Sequence, residues 1–394
     1  MPTRRNFLKC AALLGAASSF PVHYALAQEV PATTDRPDPL LFVPHTDIRV
    51  GNPRPRTITI PDVGKYKVLK GDFHMHTLFS DGDVMPRTRV QEARRNGFDA
   101  ISITDHIEYR PYISKGVLQL AANNDDHEAA YKMAQPEADK NNLILIKGTE
   151  ITKSTMPPGH FNALFIKDAN AIAAVVDDWK KMLAVAADQG GFVMWNHPGW
   201  VAPNSGGLAA GVPMSFSAEH EDVYKKGHLH GIEVFNHTSH YPIVSDWCNE
   251  RDLGLLASSD MHPPELQDYG LQNLRRPITL ILAEERTEAA MREAFFARRT
   301  IAWVVDMIFG RPEWVQKLFA ACTEIGSAIG SITVKNKSDI PMNLKVGQAD
   351  FELKPQGNVN FRPGIEVTLQ VTNWFVGTYK PLTATLINGS WRFD

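Results

Sequence analysis

The chain has 394 residues, 43% of them hydrophobic, and 41 Lys and Arg against 44 Asp and Glu give a formal net charge of −3. This length suffices for one large domain plus a small one, and the sequence has no apolar run of about 18 residues, which argues against membrane insertion. Because the chain has neither a basic excess nor a basic run, extended nucleic acid is a poor candidate partner.

The first 27 residues have the features of an export signal. Arg4 and Arg5 begin it, a weakly apolar stretch follows, and Ala25-Leu26-Ala27 supplies a small-x-small cleavage site. We therefore predict a twin-arginine signal over residues 1–27, a role for the Tat export machinery, and a periplasmic or secreted mature protein. An ordinary N-terminal helix is the alternative. Twin-arginine export suits a protein that folds around a metal before crossing the membrane.

Two cysteines, Cys248 and Cys322, would remain after cleavage of the signal. Their spacing is neither CxxC nor that of a disulfide scaffold. We expect them to be buried as small apolar residues, although an oxidising compartment would permit a bridge.

The rest of the chain divides into three parts by sequence texture. Residues 28–64 hold seven prolines and predict an extended lead-in without a regular fold. Residues 65–311 alternate apolar runs with helical segments, which predicts an α/β architecture with a parallel sheet. Residues 312–394 predict a helix followed by a small antiparallel β domain.

Repeated strand-then-helix units favour a closed or nearly closed barrel, whose working face is the C-terminal end of its strands. The main helix predictions are 86–96, 170–188 and 287–298. The strand predictions are 66–76, 99–106, 143–152, 160–166, 191–197, 231–236, 253–262 and 277–283.

Polar residues with metal-ligating side chains stand at the ends of these strands. Side-chain alternation places His74 and His76 on one face of the first strand, close enough to share a metal, while Met75 points away. Asp81 follows in a turn that can return its carboxylate over the strand end. The later strand ends supply Thr104-Asp105-His106, Gly148-Thr149-Glu150, Gly159-His160, Asn196-His197-Pro198 and Asp260-Met261-His262.

One such histidine is weak evidence, because a single strand-end His is more often a hydrogen-bonded structural residue. Their co-occurrence is stronger evidence. Crowded carboxylates repel one another and buried polar groups need partners, so packing alone does not favour this pattern unless cations compensate.

The ordered motifs resemble those of the polymerase and histidinol phosphatase (PHP) superfamily, over about residues 66–305. The resemblance implies a distorted (β/α)7 barrel that binds two to three divalent ions. Mixed imidazole and carboxylate ligands fit Mn, Zn or Fe. The ligand positions that it implies are His74, His76, Asp81, His106, Glu150, His160, His197, Asp260 and His262.

On this basis we expect hydrolysis of a phosphate ester by a hydroxide that bridges two ions at a trinuclear site. Three dications against three carboxylates leave a surplus of about three positive charges, which suits an anionic ester. Glu150 would bridge ions, and Asp260 or His262 would relay a proton to the leaving group. Asp105 would orient a metal-binding imidazole.

Four residues are weaker candidates for substrate contacts. Arg110 and Tyr112 follow the second predicted strand, and His237 and His240 follow the sixth. Arg110 could grip phosphate oxygens bidentately. For each of the four, an ordinary loop position is an equal alternative.

The predicted function is therefore a metal-dependent phosphoesterase acting on small organic phosphate esters, with diesters slightly preferred. A phosphomonoesterase or nuclease of the same superfamily is the alternative within this class. A catalytically inert metal-binding module is the alternative from a different class, because a fold alone does not establish activity.

Overall fold

The computed structural model describes residues 56–116, 125–270, 274–328, 331–362 and 366–393. The described residues all belong to one compact unit, Pro53–Asp394. The predicted signal over residues 1–27 and most of the predicted lead-in lie outside the described residues. None of the helices described here combines the length and apolar character that a bilayer span requires.

The helices mostly follow the sequence prediction. The first begins with Pro86 and is followed by Gly97, whose φ of +75° suits glycine. A Cβ at Gly97 would also lie 2.1 Å from the carbonyl oxygen of Arg56. The described α-helices are α1 (Pro86–Arg95), α2 (Pro111–Ser114), α3 (Ala129–Lys140), α4 (Ala169–Ala173), α5 (Trp179–Asp188), α6 (Ala218–Lys225), α7 (Val244–Arg251), α8 (Glu288–Phe296) and α9 (Pro312–Cys322).

The helix predicted over 170–188 is two helices, α4 and α5. Asp178 lies between them with an extended backbone, and its side chain accepts the backbone N–H of Lys181 at 3.1 Å. This N-cap starts a new helix, which the apolar periodicity across the break concealed. Helix α8 begins as predicted, because Thr287 Oγ1 accepts the Ala290 N–H at 3.2 Å.

The strands form two large sheets and one small sheet. The described strands are β1 (Lys67–Asp72), β2 (Ala100–Ile101), β3 (Ile144–Leu145), β4 (Gly148–Thr152), β5 (His160–Leu164), β6 (Phe192–Trp195), β7 (Gly231–Asn236), β8 (Ser239–His240), β9 (Gly254–Ser258), β10 (Ile278–Ala283), β11 (Thr300–Val304), β12 (Met307–Gly310), β13 (Thr323–Ala328), β14 (Ser331–Asn336), β15 (Met342–Val346), β16 (Ala349–Leu353), β17 (Asn358–Phe361), β18 (Val367–Gly377), β19 (Lys380–Ile387) and β20 (Ser390–Phe393).

The first sheet has the order β16-β15-β18-β12-β11-β10-β1-β2-β3, with β19 paired to β18 and β20 paired to β19. Strand β1 is parallel to β2 and antiparallel to β10. The second sheet has the order β4-β5-β6-β7-β8, with β9 paired to β7. In it, β5 is antiparallel to both β4 and β6, whereas β7 is parallel to β6 and β9. The mixed directions correct the expectation of a parallel sheet.

The strand predicted over 143–152 divides between the sheets. Strand β3 pairs with β2 in the first sheet, and β4 pairs with β5 in the second. Gly148 lies at the switch, where a Cβ would be 2.4 Å from Ser102 Oγ. The backbone therefore changes sheets at a position that a larger residue could not occupy without displacing its neighbours.

Pairing among the described strands does not close into the predicted (β/α)7 barrel. The two large sheets instead approach each other at isolated parallel bridges, Met75 with Met261 and His106 with Glu150. These bridges lie among the polar strand-end residues.

The region 312–394 contains the predicted helix, α9, followed by β13 to β20. Strand β18 pairs in parallel with β12, with Ile308 opposite Trp374, so most of these strands extend the first sheet. Strands β13, β14 and β17 form the small sheet. Trp374 and Phe319 are fully buried, which joins this region to the core beneath the first sheet.

Candidate metal centre

Two short segments with the same spacing of polar residues lie side by side after β1 and β9. His74-Met75-His76 meets Asp260-Met261-His262 through the bridge between the methionines, and the His76 N–H donates to the Met261 carbonyl at 3.0 Å. Both methionine side chains are fully buried. Alternation along the chain therefore turns the imidazoles and the carboxylate to the opposite side, as the sequence predicted for the first segment.

Histidine and carboxylate side chains come together here in three overlapping sets, each with ligand atoms within 4.8 Å of one another. They bring together eight of the nine predicted ligand positions. The sets are His76, Asp81, His106 and His262, then His74, Glu150 and His197, and then His74, His76 and Asp260.

The set around Asp260 has the spacing of ligands that share one ion. Asp260 Oδ1 lies 3.1 Å from Nε2 of His74 and 3.1 Å from Nε2 of His76. Both imidazole nitrogens are buried, and neither has a hydrogen-bond partner within the described part of the chain. Atoms bound at about 2.1 Å to one ion lie about 3.0–3.4 Å apart. These orphaned polar atoms therefore fit a divalent cation.

The set around Asp81 depends on a tight turn. A Cβ at Gly82 would lie 2.5 Å from the carbonyl carbon of His76, so glycine allows the turn to fold back. Asp81 Oδ1 is thereby placed 3.4 Å from His106 Nε2 and 3.3 Å from His262 Nε2. Nδ1 of His262 donates to the Asp260 carbonyl at 2.8 Å, which leaves Nε2 free to bind an ion.

Glu150 touches every set. Its Oε1 lies 3.5 Å from His74 Nε2 and 3.7 Å from His197 Nε2. Its Oε2 lies 3.3 Å from His76 Nε2 and 2.8 Å from His106 Nδ1. A fully buried carboxylate with its two oxygens facing different imidazoles is the arrangement that a bridging ligand needs.

His160, the ninth predicted ligand, lies beside these sets rather than in one of them. Its Nδ1 is 3.1 Å from Glu150 Oε1, and its Nε2 is 2.7 Å from the Ser205 carbonyl oxygen. A carbonyl only accepts, so Nε2 carries the proton and the Nδ1 lone pair faces the site. His160 is therefore oriented to bind through Nδ1.

Glu233, on β7, is a buried carboxylate that the sequence analysis missed. Its Oε1 lies 2.9 Å from His74 Nδ1, and its Oε2 accepts the His197 N–H at 2.8 Å. His197 has a φ of +29°, an uncommon value outside glycine, and this bond helps to hold it. Glu233 thus orients two imidazoles from outside the ligand sets.

Arg89, on α1, is a second residue that the sequence analysis did not single out. Its guanidinium is fully buried and donates to the carbonyls of His76, Met261, His262 and Pro263 at 2.6–2.9 Å. It also donates to Glu92 Oε2 at 2.9 Å. The hydrogen bonds of Arg89 therefore hold the segment that contains His76 against the segment that contains His262.

Asp105 was predicted to orient a metal-binding imidazole. Its carboxylate instead accepts the Thr77 N–H at 2.7 Å, the Thr77 hydroxyl at 2.6 Å and the Ser80 hydroxyl at 2.7 Å. Ser80 Oγ lies 3.2 Å from His76 Nδ1. The described contacts thus link Asp105 to an imidazole through Ser80, and its main contacts hold the loop that follows His76.

A cavity of about 640 Å³ opens over the three sets. The four predicted substrate-contact residues are not among the described residues that line it. Its lining residues are Asp81, His106, Glu108, Tyr109, Glu150, Thr152, Lys153, Ser154, His160, His197, Trp200, Asn204, Ser205, Asp260 and His262.

Each of the four has other contacts. Arg110 donates to the Phe79 carbonyl at 3.0 Å, and the Tyr112 hydroxyl donates to Asp83 at 3.2 Å. His237 lies 3.7 Å from Asp268, and the His240 ring packs on Phe309. Proximity in the chain to a strand end therefore did not predict the direction of these side chains.

The cavity wall includes residues that carried no motif in the sequence. Glu108 and Lys153 form an ion pair at 2.8 Å, and the Lys153 ammonium also donates to the Val176 carbonyl at 2.7 Å. Tyr109 and Trp200 are 52% and 37% exposed. In the sequence, these two aromatic residues are indicated only by their positions, since Tyr109 follows shortly after His106 and Trp200 shortly after His197.

The charges of the site compensate one another. Burial alone would raise the pKa of Glu150, but His106 and His74 hold it well below its usual range. Burial alone would lower the pKa of His106 and His74, yet the carboxylates around them raise both well above the usual value. Despite burial, Asp81 and Asp260 raise the pKa of His262 to about 9. Burial and the charges of His262 and His106 lower the pKa of His76 to about 3.

These shifts predict that cation binding releases protons. The pKa values of His74, His106 and His262 are raised, that of His262 to about 9, so these rings hold protons more tightly than a free imidazole, and a bound cation must displace them because only a deprotonated ring nitrogen can be a ligand. At pH 7.5 we expect proton release when the site is filled, including the proton held by His262, and an affinity that rises from pH 7 toward pH 9. Calorimetric titration with Mn²⁺ in buffers of different ionisation enthalpy measures the number of protons released. A binding enthalpy independent of the buffer would contradict the expectation.

The fold and site together define a mixed α/β protein with a buried histidine–carboxylate centre suited to divalent ions. Residues 72–193 match the PHP domain family. A crystal structure from Bacteroides vulgatus ATCC 8482, described as a two-domain protein containing a predicted PHP-like metal-dependent phosphoesterase, is 35% identical. The alignment covers 85% of this chain and 99% of that one, with a TM-score of 0.77. The chain belongs to the PHP family.

A curated relative is an uncharacterized protein of Methanocaldococcus jannaschii, which is 34% identical over 92 residues. The match covers 23% of this chain and spans about a third, 36%, of that protein. The resemblance to the PHP superfamily is therefore confirmed. A closed seven-stranded barrel is not seen in the described pairings.

Proposed function

We propose that the protein is a metal-dependent phosphoesterase that hydrolyses small organic phosphate esters, with diesters preferred over monoesters. The observation that carries the proposal is the set of buried ligand atoms around Glu150 that have no hydrogen-bond partner among the described residues, beside a cavity large enough for an organic ester. Membership of the PHP family supports the same class of reaction.

The donor set fits two to three divalent ions, with Mn, Zn or Fe as candidates. The three sets described above would hold them, with His160 joining the set of His74, Glu150 and His197. When bound, such ions acidify water and neutralise the charge that develops on a phosphoryl group. Counting Glu233 as a fourth carboxylate lowers the expected surplus for three ions to about two positive charges, which still favours an anionic ester.

The protein groups would position the ester and handle its protons. Asp260 lines the cavity, and His74 overrides the effect of burial to hold its pKa well below the usual range. The carboxylate is therefore ionised at neutral pH, and its Oδ2 can accept the proton of the attacking water and pass it to the leaving oxygen. His262, at the cavity wall, is the second candidate for this relay.

The preference for diesters rests on the cations of the cavity. Among the described lining residues, Lys153 is the only Lys or Arg. Its charge is already offset by Glu108. Beyond the metal ions, the wall therefore offers little to hold the second charge of a monoester dianion. A diester carries one negative charge and makes no such demand.

The proposal is tested with substrates that share one leaving group. The protein is loaded with Mn²⁺, Zn²⁺ or Fe²⁺ and assayed on 4-nitrophenyl methyl phosphate, 4-nitrophenyl phosphate and 4-nitrophenyl acetate. We expect kcat/KM to be highest for the diester and to disappear after chelation. Faster turnover of the monoester would overturn the diester preference. Absence of turnover on both phosphates with every metal would overturn the proposed function.

We also propose that the protein is exported through the twin-arginine pathway and acts in the periplasm or outside the cell. The support is the sequence pattern of Arg4, Arg5 and Ala25-Leu26-Ala27. Replacing Arg4 and Arg5 together by Lys should retain the protein in the cytoplasm at full length. Export of the double variant at the normal rate would contradict the pathway.

A further inference from the structure

We propose that the cavity selects phosphodiesters whose non-reacting ester group is an uncharged planar ring, held against Trp200 and Tyr109. This inference rests on the proposed function and names the substrate class of the same site. It concerns the group that stays on phosphorus after cleavage, for which the ligand sets themselves give no selectivity.

The cavity has room for an organic substituent as well as a phosphoryl group. The cavity of about 640 Å³ is far larger than a phosphoryl group, and the predicted ligands form its floor. The remaining wall must therefore contact an organic substituent. Two large aromatic side chains in this wall, Trp200 and Tyr109, are 37% and 52% exposed and so present free ring surface to the cavity.

The backbone of Trp200 is held in place by two hydrogen bonds. Its backbone N–H donates to the His197 carbonyl at 3.0 Å, and its backbone carbonyl accepts the Leu208 N–H at 2.7 Å. The preceding Gly199 allows a close approach, because a Cβ there would lie 2.5 Å from Met214 Sδ. The indole is thus presented to the cavity by a built turn.

The rings of Trp200 and Tyr109 lie close to the candidate metal centre. The Trp200 ring lies 5.1 Å from that of His197 and 5.7 Å from that of His160, edge to face in both cases. The Tyr109 ring lies 5.9 Å from that of His106. Since both aromatic rings adjoin candidate ligands, a ring attached to a phosphoryl group at the centre is within reach of an aromatic surface.

The cavity wall outside the predicted ligands offers little net charge to a substituent. The ion pair of Glu108 and Lys153 offsets its own charges, and the lining also contains the uncharged polar residues Thr152, Ser154, Asn204 and Ser205. These uncharged groups can hydrogen-bond to the polar edge of a ring but cannot neutralise an ionised substituent. An aryl ring or a nucleobase therefore fits better than a charged headgroup.

The test compares diesters that share the 4-nitrophenyl leaving group and differ only in the group that stays. The substrates are 4-nitrophenyl methyl phosphate, 4-nitrophenyl phenyl phosphate and the 4-nitrophenyl ester of thymidine 5′-phosphate. For the wild-type protein we expect kcat/KM on at least one ring-bearing diester to exceed that on the methyl diester about tenfold, mostly through KM. Contacts made by the leaving group cancel in this ratio.

Trp200→Ala should reduce the ratio to about twofold, whereas Trp200→Phe should keep most of it. Val201→Ala is the matched control, because Val201 is 57% exposed on the same loop and is not a described lining residue. Metal content is measured for each variant, since Trp200 also touches His197. Tyr109→Ala, away from His197, provides a second independent reduction of the ratio.

Equal kcat/KM on methyl and ring-bearing diesters in the wild-type protein would overturn this inference and leave the proposed function standing. The same conclusion follows if Trp200→Ala and Tyr109→Ala both keep the wild-type ratio. No release of 4-nitrophenol from any of the three diesters would instead overturn the proposed function itself.

Discussion

Replacing Glu150 by Gln is expected to remove at least one bound cation and to lower kcat/KM on a phosphodiester by more than about a hundredfold. The reason is that both oxygens of Glu150 face imidazoles of different sets, at 2.8–3.7 Å. The amide keeps the size but loses the charge, and its nitrogen is not a ligand for a cation. Loss of a residue that only supports a ligand already costs about 10–100-fold, so loss of a bridging ligand should cost more.

Metal content per chain and steady-state kinetics measure the two effects. Glu352→Gln makes the same chemical change at an exposed site on β16 and should leave both values unchanged. Full activity with an undiminished metal content in the Glu150→Gln protein would show that the bridging role is wrong. Lost activity with full metal content would instead assign Glu150 to substrate or proton handling.

Much of this site could be predicted because its residues follow a local rule. A strand end with alternating side chains places His74 and His76 together whatever the rest of the fold does. The structure accordingly brings eight of the nine predicted positions into three sets and leaves His160 beside them. Their grouping around Glu150 could not be read from spacing, because it depends on how two sheets meet.

The missed residues act across long sequence separations. Glu233 lies 159 residues from His74, and Arg89 lies more than 170 residues from the carbonyls of Met261 and His262. In the sequence, Glu233 belongs to an apolar strand and Arg89 to an ordinary helix, so neither pattern indicates a polar partner. The four predicted substrate contacts do not line the cavity. They were chosen because they follow strand ends in the sequence, and this position does not determine where a side chain points.

The architecture was predictable in its elements and less so in their pairing. Apolar runs identified β1, β5, β7 and β10, but pairing direction depends on partners that a run does not reveal. Strand β1 is antiparallel to β10, and β5 is antiparallel to both of its neighbours. Strands β2 and β3 pair over only two residues each, so the described pairings are shorter than the apolar runs that suggested a barrel.

Replacing Arg89 by Met is expected to lower the free energy of unfolding by about 3–5 kcal/mol, the cost of breaking a buried ion pair by removing one partner. Glu92 would lose its cationic partner, and the carbonyls of His76, Met261, His262 and Pro263 would lose buried donors. Chemical denaturation of the metal-free protein measures this effect. Arg87→Met, two residues away on the exposed side of α1, should change stability by no more than about 0.5 kcal/mol.

Stability alone would not distinguish a positioning residue from a structural one, so metal affinity is the second measurement. Arg89 fastens the backbone behind His76 to the backbone behind His262, and both rings belong to the set around Asp81. We expect the affinity of the weakest bound cation to fall about 10–100-fold in Arg89→Lys, which keeps the charge but cannot reach four carbonyls at once. If Arg89→Lys is destabilised yet binds every cation with wild-type affinity, the guanidinium supports the fold without setting the geometry of the site.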